Sequence, residues 1–386
     1  MSTIRVNAIQ NTSTTDGGIS IDNSGHVSIE GQKLPSTGPL SNRNLIINGD
    51  MQVAQRSTAA VNNSSSVSTL TYETIDRWGY WASAGDDFSV QQVSDAPSGF
   101  GNSVKITSLA TTTLSSGSYY TLSQRIEAQN LYLTDIGTST AKDLTLSFWV
   151  KASNAATYSV YGLSSDYQES FTSTYTVNSA DTWEHKTVTI SGATSGFSST
   201  GNSAQLEVGF SFGAGSNYST STLNEWQTSQ FQVNASSATN LVETNAATLQ
   251  ITGVQLEVGS VATPFEHRSY ADELFRCYRY YYKLIADTAD SFGVGVANVG
   301  TIGRIDVRFP TEMNDVPDLE TSGTAGDYRI GYRNSEATCT SVPSVSAFSK
   351  QVARVAFTVS DVLTAGDAID GRSTGAGHYL AFDAEL

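Results

Sequence analysis

Two cysteines and three methionines leave this chain of 386 residues little sulfur chemistry. Cys277 and Cys339 cannot build a disulfide framework, and neither sits in a metal-ligand spacing. Two buried thiols in a chain made in a reducing cytoplasm is the plain expectation. Charge is sparse too, at 15% of residues, with 37 acidic against 21 basic side chains and a net charge of −16. No basic cluster interrupts that balance along the sequence, so nucleic acid and anionic membrane surfaces are excluded as expected partners. No apolar run reaches membrane-spanning length, which excludes membrane insertion by helices. The stretch from Met1 to Val6 lacks the apolar core of a signal peptide. A chain of this kind that works outside a cell is expected to leave it within an assembled particle.

What the chain has instead is hydroxyl and amide side chains, 32 glycines and a 10% share of aromatics. Ser, Thr and Asn offer the backbone local hydrogen bonds that compete with helix. Thr, Tyr, Phe and Val suit a pleated, half-buried surface. The pattern predicts an all-β protein: a large jelly-roll β-sandwich and a smaller C-terminal β-sandwich, joined by one short helix and preceded by an extended N-terminal arm. Residues 1–41 form that arm and its linker. Ile4, Val6, Ile9, Ile19, Ile21, Val27 and Ile29 give it one thin apolar face. Such a piece is marginal alone, so these seven residues are expected to attach it to other copies or to a docking protein.

Residues 42–267 alternate strand-like runs with Gly/Ser/Asn-rich turns, the spacing of a sandwich. Residues 268–283 read as the connecting helix. Ser269 caps it, Asp272 completes a capping box, and Leu274, Cys277, Tyr278 and Tyr281 share one face. Leu274, Tyr278 and Tyr281 are the candidate oligomerisation residues, packing about a threefold axis; the alternative is a helix that covers an open sheet edge. Residues 284–386 return to strands as a C-terminal β-domain.

The most specific residues lie at the edges of the sandwich. Asn44-Leu45-Ile46-Ile47-Asn48-Gly49-Asp50-Met51 opens it, Asp76-Arg77-Trp78 follows, and Gly253-Val254-Gln255-Leu256-Glu257-Val258-Gly259 closes it before Cys277-Tyr278-Arg279-Tyr280-Tyr281. Together these resemble a family of bacteriophage tail fibre and minor virion structural proteins, marine cyanophage-like at the N-terminus. Their central domain resembles carbohydrate-binding jelly rolls. Met51 departs from that pattern, standing where an aromatic is usual. The resemblance implies a subunit of the virion tail, assembled in the host cytoplasm and usually a homotrimer. It would attach to other tail proteins by its N-terminal arm and present its β-domains outward. A host cell-surface polysaccharide is the partner expected there.

Six aromatics are candidates for glycan binding, because a sugar ring stacks its C–H groups on an aromatic face. Tyr80 and Trp81 are adjacent on a strand and face opposite ways. Tyr158, Tyr161, Tyr167 and Trp226 lie in or near long loops. The competing reading for each is packing within the fold. Trp78, Trp149 and Trp183 sit in strand patterns and are expected in the core. Asp50 and Glu257, with Asn48, come from the two ends of the sandwich and are candidates for a structural Ca²⁺, the resemblance placing such an ion near the terminal strands. The competing reading there is a surface carboxylate. No cofactor is required.

Catalytic motifs are weak, and the chain is expected not to be an enzyme. Gly371-Arg372-Ser373-Thr374-Gly375 matches a nucleophile elbow in letters, but no helix pattern follows and no acid lies between it and His378. His26, His185, His267 and His378 are scattered. A glycosidase needs two facing carboxylates, and Asp76, Asp86, Asp87 and Asp166 are only loop candidates for that role. Two alternatives to a receptor-binding fibre remain: a purely structural tail or capsid connector, and a polysaccharide depolymerase.

Overall fold

The computed structural model describes residues 18–23, 25–29, 32–35, 38–63, 67, 69–85, 87–228, 230–286, 291–360 and 362–386, and the backbone alone of residues 8–10. The chain divides into two compact units, Met1–Ser269 and Tyr270–Leu386.

In the first unit, among the described residues, Gly18–Ile21 pairs antiparallel with both Ala8–Gln10 and Val27–Ile29, and Gln32–Lys33 adds to the latter. Ile19, Ile21 and Ile29 are 40–45% exposed and Val27 is half-buried. Ile4, Val6 and the side chain of Ile9 lie outside the described residues.

The body of this unit is a β-sandwich of the jelly-roll class. One sheet runs in the order Glu184–Ile190, Leu144–Ala152, Thr248–Val258, Ser103–Ser108, Phe88–Val93, Val61–Asn62. The other runs Trp226–Thr228, Glu169–Thr176, Thr157–Ser164, Ala204–Ala214, Tyr119–Glu127, Gly79–Ala82. Alternation decides what lies between them. Along Leu144–Ala152, Leu144, Leu146, Phe148, Val150 and Ala152 point into the core, where Phe148 meets Phe210 edge-to-face at 4.9 Å. Thr145, Ser147, Trp149 and Lys151 therefore point out.

The opening motif is a clip for the closing strand. The Asn44 side chain donates to Val254 O (3.1 Å) and accepts from Ile46 N and Leu256 N (3.0 and 3.1 Å). Gly49 lies so close to the closing strand that a Cβ there would stand 2.1 Å from Val254 O. Asn48, with φ at +57°, holds Val53 and Asp76 through its amide, and its carbonyl accepts from the Trp78 indole at 3.0 Å.

The second unit packs a three-stranded sheet (Tyr281–Ile285, Tyr379–Asp383, Asp318–Thr321) against a seven-stranded one around a core that includes Ile305, Ile330, Phe357 and Phe382. The expected helix is shorter than residues 268–283. It runs Tyr270–Cys277, and Tyr281 already belongs to a strand, paired with Asp383. The reason is local: a Tyr-Tyr-Lys-Leu-Ile run favours extended backbone, and the C-terminal strand is there to pair with it. Tyr281 is buried and donates to Glu320 at 3.0 Å, so it is not on an oligomerisation face. Leu274 is half-buried, and Tyr278 packs on Tyr282 with ring centroids 5.0 Å apart. Both cysteines are buried free thiols, and burial pushes Cys339 up to about 12.

Candidate functional site

The six aromatics chosen as glycan contacts do not form a binding surface. Tyr80 faces the core, edge-on to Phe88, and Tyr158 is buried there beside Tyr175. Trp81 and Tyr161 do face the other way, but that side is covered. Tyr218, Phe231 and Val233 close over Tyr119, Tyr161 and Tyr167. Beneath them the Glu207 carboxylate is buried and fully engaged. It accepts from Trp81 Nε1 (3.2 Å), Ser123 Oγ (2.9 Å), Tyr161 Oη (2.9 Å) and Arg125 Nε (3.1 Å). This is a second, polar core. Desolvation there raises Tyr161 well above the usual phenol range. Trp226 is half-buried against Phe171 and Phe197, with its indole donating to Ser191 O at 2.7 Å.

A partly open aromatic surface is on the opposite sheet. Trp149 and Trp183, expected in the core, stand outside it and half-buried, while Trp78 alone of those three is interior. A groove of about 580 Å³ crosses this face. Phe100, Trp149, His185, Phe265 and His267 line it. Ring centroids lie 5.1 Å apart for Phe100 and Phe265, 4.9 Å for Phe265 and His267, and 5.3 Å for Trp149 and His185.

The floor is made by a bulge in the closing strand. Pairing with Leu144–Ala152 shifts between Ser147 and Trp149, and Gly253 sits at the shift with φ at +60°. A Cβ on Gly253 would come within 2.7 Å of the Phe100 ring and 3.1 Å of Trp149. Glycine is required there on both counts.

Beyond the groove, two residues along the strand from Trp149, lies a polar cluster. Lys151 lies over the Trp183 ring at 5.4 Å and pairs with Asp95. Asp95 also accepts from Trp183 Nε1 and Gln250 Nε2, both at 3.3 Å. The Lys151 hydrogen bond holds the Asp95 carboxyl below its usual range, and desolvation lowers His185. At neutral pH the groove therefore has a neutral imidazole beside Trp149. Lys33 and Gln32 from the arm stand at its side.

The proposed metal pair is not assembled as ligands. Glu257 is buried and accepts from Thr263 N (2.8 Å), Thr263 Oγ1 (2.7 Å) and Gln255 Nε2 (2.9 Å), with Arg43 Nε at 3.7 Å. Those donors leave its oxygens no place for a cation. Asp50 bonds Gln52, and its Oδ1 is buried without a partner; burial raises its pKa. Among the described residues no group of three His, Cys, Asp or Glu is placed to hold a metal ion.

The carboxylates considered for glycoside chemistry are occupied locally. Asp76 bonds Gln55, Asp87 accepts from Tyr120 Oη (2.8 Å) and Thr112 Oγ1 (2.6 Å), and Asp166 accepts from Ser164 Oγ (2.6 Å). Asp86 lies outside the described residues. The Ser373 motif gains an acid that the sequence did not show. His378 Nδ1 is 3.4 Å from Ser373 Oγ, and its Nε2 is 3.4 Å from Asp327. Ser373 is nevertheless fully buried, and its hydroxyl both donates to Gly375 O and accepts from Gly375 N. A substrate carbonyl cannot reach it, and the cluster reads as a turn.

No protein-family profile and no curated protein matches the sequence, so the tail-fibre resemblance has no sequence match behind it. Solved structures similar in fold include the enzymatically active domain of tailspike protein 4 from bacteriophage CBA120, at 12% identity over 56% of this chain and 21% of that one, with a TM-score of 0.31. This chain thus spans about a fifth of the tailspike chain. A putative sugar binding protein from Bacteroides thetaiotaomicron matches at 15% identity over 56% of this chain and 100% of that one, TM-score 0.31. The family 11 carbohydrate-binding module of a Clostridium thermocellum cellulase matches at 14% identity over 52% and 98%, TM-score 0.27. All three are remote.

Proposed function

We propose that this protein is a non-enzymatic carbohydrate-binding subunit whose site is the groove floored by Gly253 and lined by Phe100, Trp149 and Phe265. The observation that carries this reading is the half-buried aromatic cluster in which two loop phenylalanines flank the strand residue Trp149, bordered by Gln32, Lys33 and His185. Ring faces take the C–H side of a sugar, and the rim takes its hydroxyls. Water excluded from that contact favours a flat, weakly charged ligand, so a neutral glycan suits it.

The larger setting we propose is a tail fibre of a phage, a homotrimer attached by its N-terminal arm and engaging host polysaccharide. The exposed isoleucines of the arm favour this, since an apolar hairpin face in water gains by being covered. Weak single sites would then act together through several copies.

The test is affinity electrophoresis and glycan-array binding with the wild-type chain and Trp149→Ala. Wild type is expected to bind neutral glycans, with the variant at least tenfold weaker and equally folded. A wild-type protein that binds no glycan, or a variant that binds as well, contradicts the assignment.

A further inference from the structure

The sequence scatters Arg304, Arg308, Arg329, Arg333, Arg354 and Arg372 through the last hundred residues; folding brings them to one sheet. The seven-stranded sheet of the second unit runs Ser335–Thr338, Tyr328–Tyr332, Ala368–Ser373, Ser291–Val299, Ile302–Arg308, Val352–Thr358, Ser344–Phe348. Its inner face carries Ile305, Ile330 and Ile369 into the core. On the central strand, Gly295 pairs with Ile305 and Ile369, so Val294 and Val296 point out, and they are 77% and 56% exposed.

Two grooves meet there. One of about 700 Å³ is bordered by Arg333, Glu336, Asp370 and Arg372, the other of about 310 Å³ by Arg304, Asp306 and Arg354, and Val294 and Gly295 line both. The result is one trough with a valine floor, widened where Gly331 stands opposite Asp370.

The cations on its two sides are not equivalent. Arg354 is held by Asp306 (2.8 and 3.2 Å), Arg372 and Arg329 by Glu336 (2.9 and 2.6 Å), and Arg333 by Asp367 (3.0 Å). Arg304, paired across from Val296, has no ion pair or hydrogen bond among the described residues, and its Nε is buried without an acceptor. Arg308, beyond Asp306 on the same strand, likewise has no ion pair among the described residues.

We infer that this trough is a second binding site, for a carboxylate-bearing sugar chain, with Arg304 receiving the carboxylate over the Val294–Val296 floor. An unmatched buried donor is costly, and a carboxylate meets a guanidinium in charge-assisted bonds. The net charge of the chain does not forbid it, because charges more than about 8 Å away are largely screened at physiological salt. The ligand class follows from the surface. A peptide strand would join a sheet edge through its backbone, whereas this is a face that offers only side chains. Single-stranded nucleic acid would want successive stacking rings, whereas the one ring among the lining residues, Tyr332, packs on the core. A polyuronate presents C–H faces to the valines and carboxylates to the arginine side.

The experiment is calorimetric titration of the full chain with a galacturonate hexamer, its methyl ester, and a glutamate hexapeptide. The variants are Arg304→Gln, Val294→Glu and Trp149→Ala. Val294→Glu is the safeguard, since a side chain so exposed can be replaced without unfolding the sheet. The hexamer is expected to bind, and esterification, Arg304→Gln or Val294→Glu each to weaken it at least tenfold, with Trp149→Ala leaving it unchanged. No binding, equal binding of the ester, or wild-type affinity in both trough variants overturns the inference. So does a glutamate peptide that binds as tightly, or loss of binding in Trp149→Ala. Neutral-glycan binding at the first groove is read separately by Trp149→Ala, so either site can fail without the other.

Discussion

Phe148 and Trp149 are neighbours in sequence and face opposite sides of one strand. That single fact places the candidate groove. The alternation argument that applies to Tyr80 and Trp81 applies equally to this pair, and Leu144, Leu146, Phe148, Val150 and Ala152 already fill the inward positions. Trp149 as an outward residue was therefore legible. What was not legible is cover: nothing in the sequence says that Tyr218, Phe231 and Val233 close over the side that Trp81 and Tyr161 face while Trp149 stays partly open. Substituting Trp149 by Ala is expected to change stability by less than about 1 kcal/mol, as for other partly exposed side chains, and this is checked by thermal unfolding. Asp50 gives a second residue-scale expectation. Burial raises its pKa, so the folded state prefers the protonated form and loses stability as pH rises through that value. Asp50→Asn imitates the protonated form. It is expected to stabilise the protein at pH 7 by on the order of 1 kcal/mol, with the difference shrinking as pH falls, measured by denaturant titration at several pH values.

At the scale of elements, the motif that opens the sandwich turns out to be a joint. Asn44 bonds Val254 and Leu256 along one edge of the closing strand, and Asn48, Gly49 and Trp78 lock the turn beside it. These residues were picked out in the sequence because they are specific, and their specificity is that of a clip, while Gly253 in the same closing stretch shapes the groove floor. Asn44→Ala strips three hydrogen bonds and leaves buried partners unmet. A loss of about 2–3 kcal/mol is expected, read from the urea midpoint. The polar core offers a sharper case. Arg125→Met leaves the buried Glu207 without its cation, and about 3–5 kcal/mol is expected to be lost, by the same measurement. Strands such as Leu144–Ala152 and Val352–Thr358 were readable from alternation, whereas Glu169–Thr176, beside Tyr167, stands where a long loop was expected. The helix was placed correctly at its start and overrun at its end, because helical spacing of Leu274, Cys277, Tyr278 and Tyr281 cannot reveal that a C-terminal strand competes for Tyr281.

At the scale of the whole molecule, composition identified an all-β chain correctly. The sum of charges was less informative. A net −16 describes the chain, yet arginines from distant strands share one sheet face, which only pairing order could bring about. Assembly is the matching question. Ile19 and Ile21 are exposed on the arm, and the proposed trimer uses them. Ile19→Asp with Ile21→Asp is expected to convert a trimer at micromolar concentration to a monomer in analytical ultracentrifugation; a monomeric wild type would remove the trimer. The aromatic groove is tested most directly by a crystal structure with the neutral oligosaccharide that binds best on an array. A sugar ring is expected stacked on Trp149 or Phe100 above Gly253, with hydroxyls on Gln32, Lys33 or His185. A sugar seated beside Trp226, or anywhere else with the groove empty, would contradict it.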